Sequence, residues 1–262
     1  MHLKTISQYL FVFICFCFSA NAAEKVTLEL NDIDWPPYFV NQPSSPLKGI
    51  AKELLAHCIN PEKYQKNFTV LPIKRTHIYM HQGVLDISIY SYKKERESFV
   101  FYSKEPMFTS GYGFVVRADS DIKIKQLSDL SPYVIGNLAG LSHTPEILTI
   151  LKNKRQNNQV IDGYSIDAMF DQLLAHTPRF DLMINAKETF YWRAKELGIT
   201  RQVKMLDYPI QRKPYFLTLS KASKNINNKQ QFLDDFDNCL INLKSGDKYH
   251  EILAKYGMEH SQ

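Results

Sequence analysis

Apolar and polar residues alternate from Val26 to Asn31, the two-residue period of a half-buried strand, and Asp34-Trp35-Pro36-Pro37-Tyr38 then breaks the pattern with prolines between aromatic rings. Beyond the turn signals at Pro43 and Pro46, Ile50, Ala51, Leu54, Leu55 and Cys58 recur at three- and four-residue spacing. That spacing marks one buried helical stripe, and Pro61 follows its end. Phe68 to Leu71 reads as a strand, Thr76 to Gln82 as a helix stopped at Gly83, and Leu85 to Tyr90 as a strand. Further strands are predicted at Gly111 to Val116, Tyr133 to Gly136, Phe180 to Ile184, Val203 to Leu206 and Tyr215 to Leu219. Between them fall a helix opened by Thr144-Pro145-Glu146, a second from Ile166 with Met169, Phe170, Leu173 and Leu174 on one face, and a third from Glu188 to Gly198. The chain closes on two helices, striped by Phe232, Phe236, Cys239, Leu240 and Leu243 and by Ile252, Leu253 and Tyr256, with Gly257 as the C-terminal stop.

Strands separated by helices imply an α/β fold with parallel pairing and crossover helices. Which strands share a sheet is beyond what periodicity gives. No internal repeat, low-complexity segment or Gly/Ser linker interrupts the order.

The first residues carry a different pattern. Lys4 precedes an apolar run from Tyr9 to Phe18, and Ala20-Asn21-Ala22 supplies the small-x-small cleavage signature, so residues 1–22 are expected to be a secretory signal. The run is shorter than the roughly 20 residues a spanning helix needs, and neither Cys15 nor Cys17 stands in a lipoprotein context. A protein free in the periplasm is expected. Past Ala22 the chain has 31 Lys and Arg against 27 Asp and Glu, scattered without a single-sign run, which argues against a nucleic-acid binder. Roughly 240 residues suit one large domain or two modest ones. Only Cys58 and Cys239 remain, in a compartment where paired thiols oxidise.

The order of local motifs resembles the family 3 extracellular solute-binding proteins, the periplasmic receptors of amino-acid ABC transporters. Its carriers are Trp35-Pro36-Pro37-Tyr38, Gly49-Ile50 with Glu53-Leu54, Gly83-Val84-Leu85-Asp86, Glu95-Arg96 and Phe101-Tyr102-Ser103-Lys104-Glu105-Pro106. Gly136 to Gly140, Phe180-Asp181-Leu182-Met183, Leu243 to Tyr249 and Lys255-Tyr256-Gly257 complete the series, over nearly all of the chain past the signal. The resemblance implies a two-lobed periplasmic binding protein fold of type II, each lobe a mostly parallel sheet flanked by helices. Lobe one would comprise residues 23–112 plus 213–262 and lobe two residues 113–212, with crossings near Gly111 to Gly113 and Lys213 to Tyr215. Both cysteine-bearing helices would then belong to lobe one, so the resemblance makes a Cys58–Cys239 disulfide plausible.

It also implies a site. In the family an arginine at the position of Arg96 holds the ligand's carboxylate, for which a planar guanidinium that stays charged is suited. The alternative is a surface ion pair among Lys93, Lys94, Glu95 and Glu97. Leu141, Ser142 and His143 precede a helix start, where unpaired backbone N–H groups favour an anion; capping accounts for at least one of Ser142 and Thr144. Trp35 and Tyr38 form an aromatic wall or part of the core. Tyr90 and Ser91 end a strand aimed at the same region, and Ser91 could donate to the ligand. Family members carry a carboxylate after the Phe180-Asp181 strand for the ligand's ammonium group, whereas this chain runs into Ile184-Asn185-Ala186-Lys187. Asn185 hydrogen-bonds without neutralising charge. Either Glu188 replaces it, or the ligand is not a standard α-amino acid.

His77 and His81 sit four apart without a third ligand, so neither metal nor cofactor is expected. No Gly-x-Ser-x-Gly, phosphate-cradling glycine loop or His-Glu-x-x-His occurs. The expectation is therefore a monomeric binding protein that hands a small carboxylate ligand to an inner-membrane ABC permease or a sensor. The rival is a periplasmic enzyme on the same fold, resembling cyclohexadienyl dehydratase, with Glu105 or Glu188 as general acid.

Overall fold

The computed structural model describes residues 25–33, 35–42, 45–139, 141 and 143–258; the predicted signal segment and Ser142 lie outside them. The first half of the fold runs β1 (Val26–Asp32), α1 (Ile50–Cys58), β2 (Tyr64–Val70), α2 (Ile73–Gln82), β3 (Ile87–Ser91), β4 (Val100–Tyr102) and β5 (Phe108–Arg117). Then come β6 (Ile135–Leu138), α3 (Pro145–Gln156), β7 (Val160–Gly163), α4 (Ile166–Leu174), β8 (Leu182–Ala186), α5 (Lys187–Glu196) and β9 (Val203–Met205). Strand β10 (Gln211–Ser220) and helices α6 (Lys229–Ser245) and α7 (Asp247–Lys255) close the chain.

The sheet order β2-β1-β3-β10-β5-β8-β6-β7 confirms an α/β fold in two lobes. Strands β1, β2 and β3 pair in parallel, as do β6, β7 and β8. The long strands β5 and β10 join the two groups. Phe108 to Tyr112 lies antiparallel to Gln211 to Tyr215; β5 then continues against β8, and β10 against β3. The apolar core divides accordingly. One cluster draws on residues from Leu28 to Phe108 and again from Tyr215 to Met258, while two others run from Tyr112 to Val203.

The two ends of the chain are tied where α1 begins. Gly49 takes φ 109°, a conformation that disfavours side chains, and a Cβ there would lie 2.4 Å from the Tyr38 carbonyl oxygen. That close approach lets the N–H groups of Ile50 and Ala51 bond the carbonyls of Pro37 and Tyr38. From the other end of the chain, the Tyr256 hydroxyl accepts from the Gly49 N–H at 2.8 Å and donates to Glu53 at 2.7 Å. At the other end of α1, Cys58 and Cys239 form a disulfide linking α1 to α6 across 181 residues of sequence.

A loop that long gives the link an entropic worth of about 5 kcal/mol in the unfolded chain, as an upper value. Reduction is expected to lower the urea midpoint substantially, with the same loss in Cys58→Ser/Cys239→Ser. Coincident unfolding curves with and without reductant would contradict this.

Candidate functional site

Ligands of open α/β sheets bind beyond the carboxyl ends of the parallel strands. Here the ends of β1, β3, β6 and β8 carry the residues singled out from sequence. After β1, Trp35 is half-buried, its ring centre 4.7 Å from that of Tyr215 and 4.6 Å from that of Tyr38. Tyr38 itself is a core residue, not a wall of the cleft. It is fully buried and stacked on Phe108 at 3.9 Å, and its hydroxyl donates to the Thr109 carbonyl at 3.3 Å.

At the end of β3, a single helical turn over Lys94–Ser98 folds Arg96 back onto the strand. Its Nη1 donates to the Ser91 carbonyl at 2.8 Å and its guanidinium lies 4.5 Å from the centre of the Tyr90 ring. Such a stack is worth about 1–2 kcal/mol where water is partly excluded, and it fixes the plane of the fork. Tyr90 is buried beneath it with its hydroxyl 2.9 Å from His77 Nδ1, so it supports the arginine from behind. The alternative of a surface ion-pair run does not form. Glu97 accepts from the Tyr92 hydroxyl instead, and no described carboxylate pairs with Arg96 or Lys93. Burial and the nearby Arg96 charge hold the Lys93 ammonium below its ordinary pKa.

In lobe two, His143 is buried beside α3 at the end of a polar chain. Arg155 grips Asp162 at 3.1 and 2.7 Å, Asp162 accepts from Asn137 at 2.6 Å, and Asn137 Oδ1 stands 2.8 Å from His143 Nε2. Because Asp162 only accepts, Asn137 must turn its NH2 toward it and its oxygen toward the imidazole. Nε2 of a neutral His143 therefore carries the proton and Nδ1 is left as an acceptor. Burial first, then the positive charges of Lys213, Arg155 and Lys93, push its pKa down to about 4. Thr144 caps α3 by accepting from the Ile147 N–H at 3.3 Å. Leu141 is half-buried against the lobe's core, a packing role that leaves it little to offer a ligand.

Lys213, a residue sequence reasoning used only to mark the crossing, is buried on β10 opposite Ser110. Its ammonium lies 5.7 Å from the centre of the Tyr112 ring, whose hydroxyl meets that of Tyr215 at 2.7 Å. Tyr215 in turn pairs with Ser91, the acceptor of Arg96. Burial, then the charges of Lys93 and Arg96, lower the Lys213 pKa to about 8. The available signal was a lysine within Gln211-Arg212-Lys213-Pro214, a stretch too polar for any core strand.

Asn185 is a further correction. It pairs with Gly113, and strand alternation sends its side chain to the face opposite Tyr112, where its Oδ1 accepts from the Ala186 N–H at 2.8 Å. The residue sharing the face of Tyr112 is Ala186. Glu188 is engaged on the crossing strand, accepting from Ser110 Oγ at 2.8 Å and the Gly111 N–H at 3.3 Å. His77 is committed to Tyr90 and His81 lies against Phe99. Among the described residues no group of three or more His, Cys, Asp or Glu is placed to hold a metal.

The site thus gathers Lys93, Arg96 and Lys213 with a neutral His143. An open groove of about 1160 Å³ elsewhere along the crossing contains none of these, and its charges are mixed: Lys187, Glu188, Lys195 and Glu196.

The sequence model of the bacterial extracellular solute-binding proteins, family 3, matches residues 30–259. No curated protein sequence matches the chain. Among solved structures, a mutant of ArgBP from T. maritima shares 18% identity over 88% of this chain and 95% of that one, with a TM-score of 0.71. The probable amino-acid ABC transporter extracellular-binding protein ytmK from Bacillus subtilis shares 17% over 91% and 100%, TM-score 0.69. A histidine kinase sensor domain with similarity to periplasmic binding proteins shares 16% over 88% and 95%, TM-score 0.70. Identities this low speak for the fold alone, which is that of the two-lobed type II periplasmic binding proteins.

The lowered pKa of His143 has a sign that can be checked. Between its usual 6.5 and about 4 the unfolded chain binds a proton that the folded chain refuses, so stability is full above 6.5 and declines as the pH falls through that window. At pH 5 this residue alone accounts for on the order of 2 kcal/mol. His143→Gln is expected to lose less in Tm than wild type between pH 7 and pH 5. Equal losses would mean that the buried imidazole is not responsible.

Proposed function

We propose, for a chain that belongs to the bacterial extracellular solute-binding proteins of family 3, that it captures a small carboxylate-bearing ligand, an amino acid or related compound, between two lobes. Lobe one comprises residues 23–112 plus 213–262 and lobe two residues 113–212, with the polar stretch of β5 and β10 as the bending point. The observation that carries the reading is the Arg96 guanidinium, stacked on Tyr90, anchored at Ser91 and without a described carboxylate partner. A ligand carboxylate supplies that partner. Ser91, Trp35 and His143 line the same cleft, so contacts made to both lobes at once favour their closure.

The chain acts in the periplasm as a monomer and passes its ligand, or the signal of its presence, to an inner-membrane ABC permease or a sensor protein. Likeness to both a transporter's binding protein and a kinase sensor domain supports keeping the two destinations together. It is a receptor, not an enzyme. The carboxylates that a dehydratase on this fold would use as acid are occupied, Glu105 by Lys244 and Glu188 by Ser110 and Gly111.

A thermal-shift screen of amino acids and organic acids, followed by calorimetry, tests this. A ligand at 100 times its Kd adds about 2.7 kcal/mol of stability. Arg96→Ala is expected to weaken the best ligand by about 100-fold, the scale of two charge-assisted hydrogen bonds. Unchanged affinity in the variant, or turnover of prephenate or arogenate, would overturn the proposal.

A further inference from the structure

The charges around the cleft are unequally divided. Lobe one brings Arg96 at the end of β3, Lys93 beside it, and Lys213 two residues along β10 from Tyr215 and on its face. At the end of β8, lobe two has Ala186, buried and paired with Tyr112, and so on the face over which Lys213 lies. Two acidic side chains of lobe two are otherwise engaged. Glu188 commits both oxygens to Ser110 and Gly111, and Asp162 is shared between Arg155 and Asn137. An ammonium group on a ligand held by Arg96 would therefore meet like charge and find no free carboxylate among these residues, whereas a second anionic group would meet Lys213.

From this placement we infer that the cleft selects a small dicarboxylate that carries no amino group, one carboxylate on Arg96 and the other on Lys213. The inference rests on the carboxylate-receptor reading above and narrows it. Ala186 is its specificity determinant, since a side chain too short to bear charge there removes the counter-ion for an ammonium. Lys213, buried on the strand that neighbours β3, sets the second anchor point. Burial first, then the neighbouring cations, depress the pKa values of Lys93 and Lys213, and a doubly charged ligand relieves the second of these.

Calorimetry with matched ligand pairs on the wild-type protein decides the matter: succinate against L-aspartate, and glutarate against L-glutamate, each pair differing only in the amino group. The amine-free member is expected to bind at least about tenfold tighter in whichever pair binds. Ala186→Asp, which supplies the missing carboxylate, is expected to shrink or reverse that preference. An amino acid binding as tightly as its amine-free partner in the wild type overturns the inference. So does exclusive binding of a monocarboxylate such as L-glutamine, although retention of Arg96 dependence there would leave the receptor reading standing. Dicarboxylate binding that survives Arg96→Ala intact overturns both. Should Ala186→Asp unfold, the wild-type pairs still separate the two outcomes.

Discussion

Everything about the site depends on the antiparallel ladder between Phe108 to Tyr112 and Gln211 to Tyr215. Each strand enters this ladder from one lobe and leaves it into the other, so one sheet serves two cores. Because β5 and β10 join the two parallel groups, the carboxyl ends of β1 and β3 confront those of β6 and β8. Between the buried rings of Phe108, Tyr112 and Tyr215, the ladder's residues are small, polar or charged: Ser110 and Gly111 on one strand, Gln211, Arg212 and Lys213 on the other. Little apolar surface is committed between those rings, where the pairing is held by backbone bonds, the Tyr112–Tyr215 hydroxyl contact and Glu188. Such a segment bends more readily than the cores on either side.

Gathering cations in a partly buried cleft is unfavourable unless each is accommodated. Arg96 is accommodated by a carbonyl and a ring face, which cost it none of its charge. His143 is accommodated by staying neutral, a state favoured by its burial and by the charges of Lys213, Arg155 and Lys93, while the Asn137 oxygen dictates which ring nitrogen bears the proton. The positive field that results is concentrated between low-dielectric walls, where it draws anions more strongly than the mild net charge of the whole chain would. Some stability is thereby exchanged for readiness to bind.

Much of this is legible in the sequence. The order of strands and helices follows from apolar spacing because most elements bury one face, as α1 does with Ile50, Ala51, Leu54 and Leu55. The hinge strands read too short, as Gly111 to Val116 and Tyr215 to Leu219, since Thr109, Ser110, Arg212 and Lys213 lack the apolar alternation that reveals a strand. The strand over Val160–Gly163 escapes notice for a similar reason, being short and only partly buried. Within the site, the motif around Arg96 is visible, but its stack on Tyr90 needs the turn that folds it back. Asn185 is misassigned from sequence because alternation tells faces apart only once the register is known, and the pairing of Tyr112 with Ala186 fixes that register. Tyr38 is ambiguous in a sequence where aromatic rings flank prolines; packing on Phe108 resolves it toward the core.

The most direct test is a crystal structure of the protein with its tightest ligand from calorimetry bound. The prediction is a ligand carboxylate within about 3 Å of the Arg96 guanidinium nitrogens, lying between Ser91 and His143 with Trp35 at its side. A ligand seated instead in the mixed-charge groove by Glu188 and Trp192, with Arg96 untouched, would contradict it.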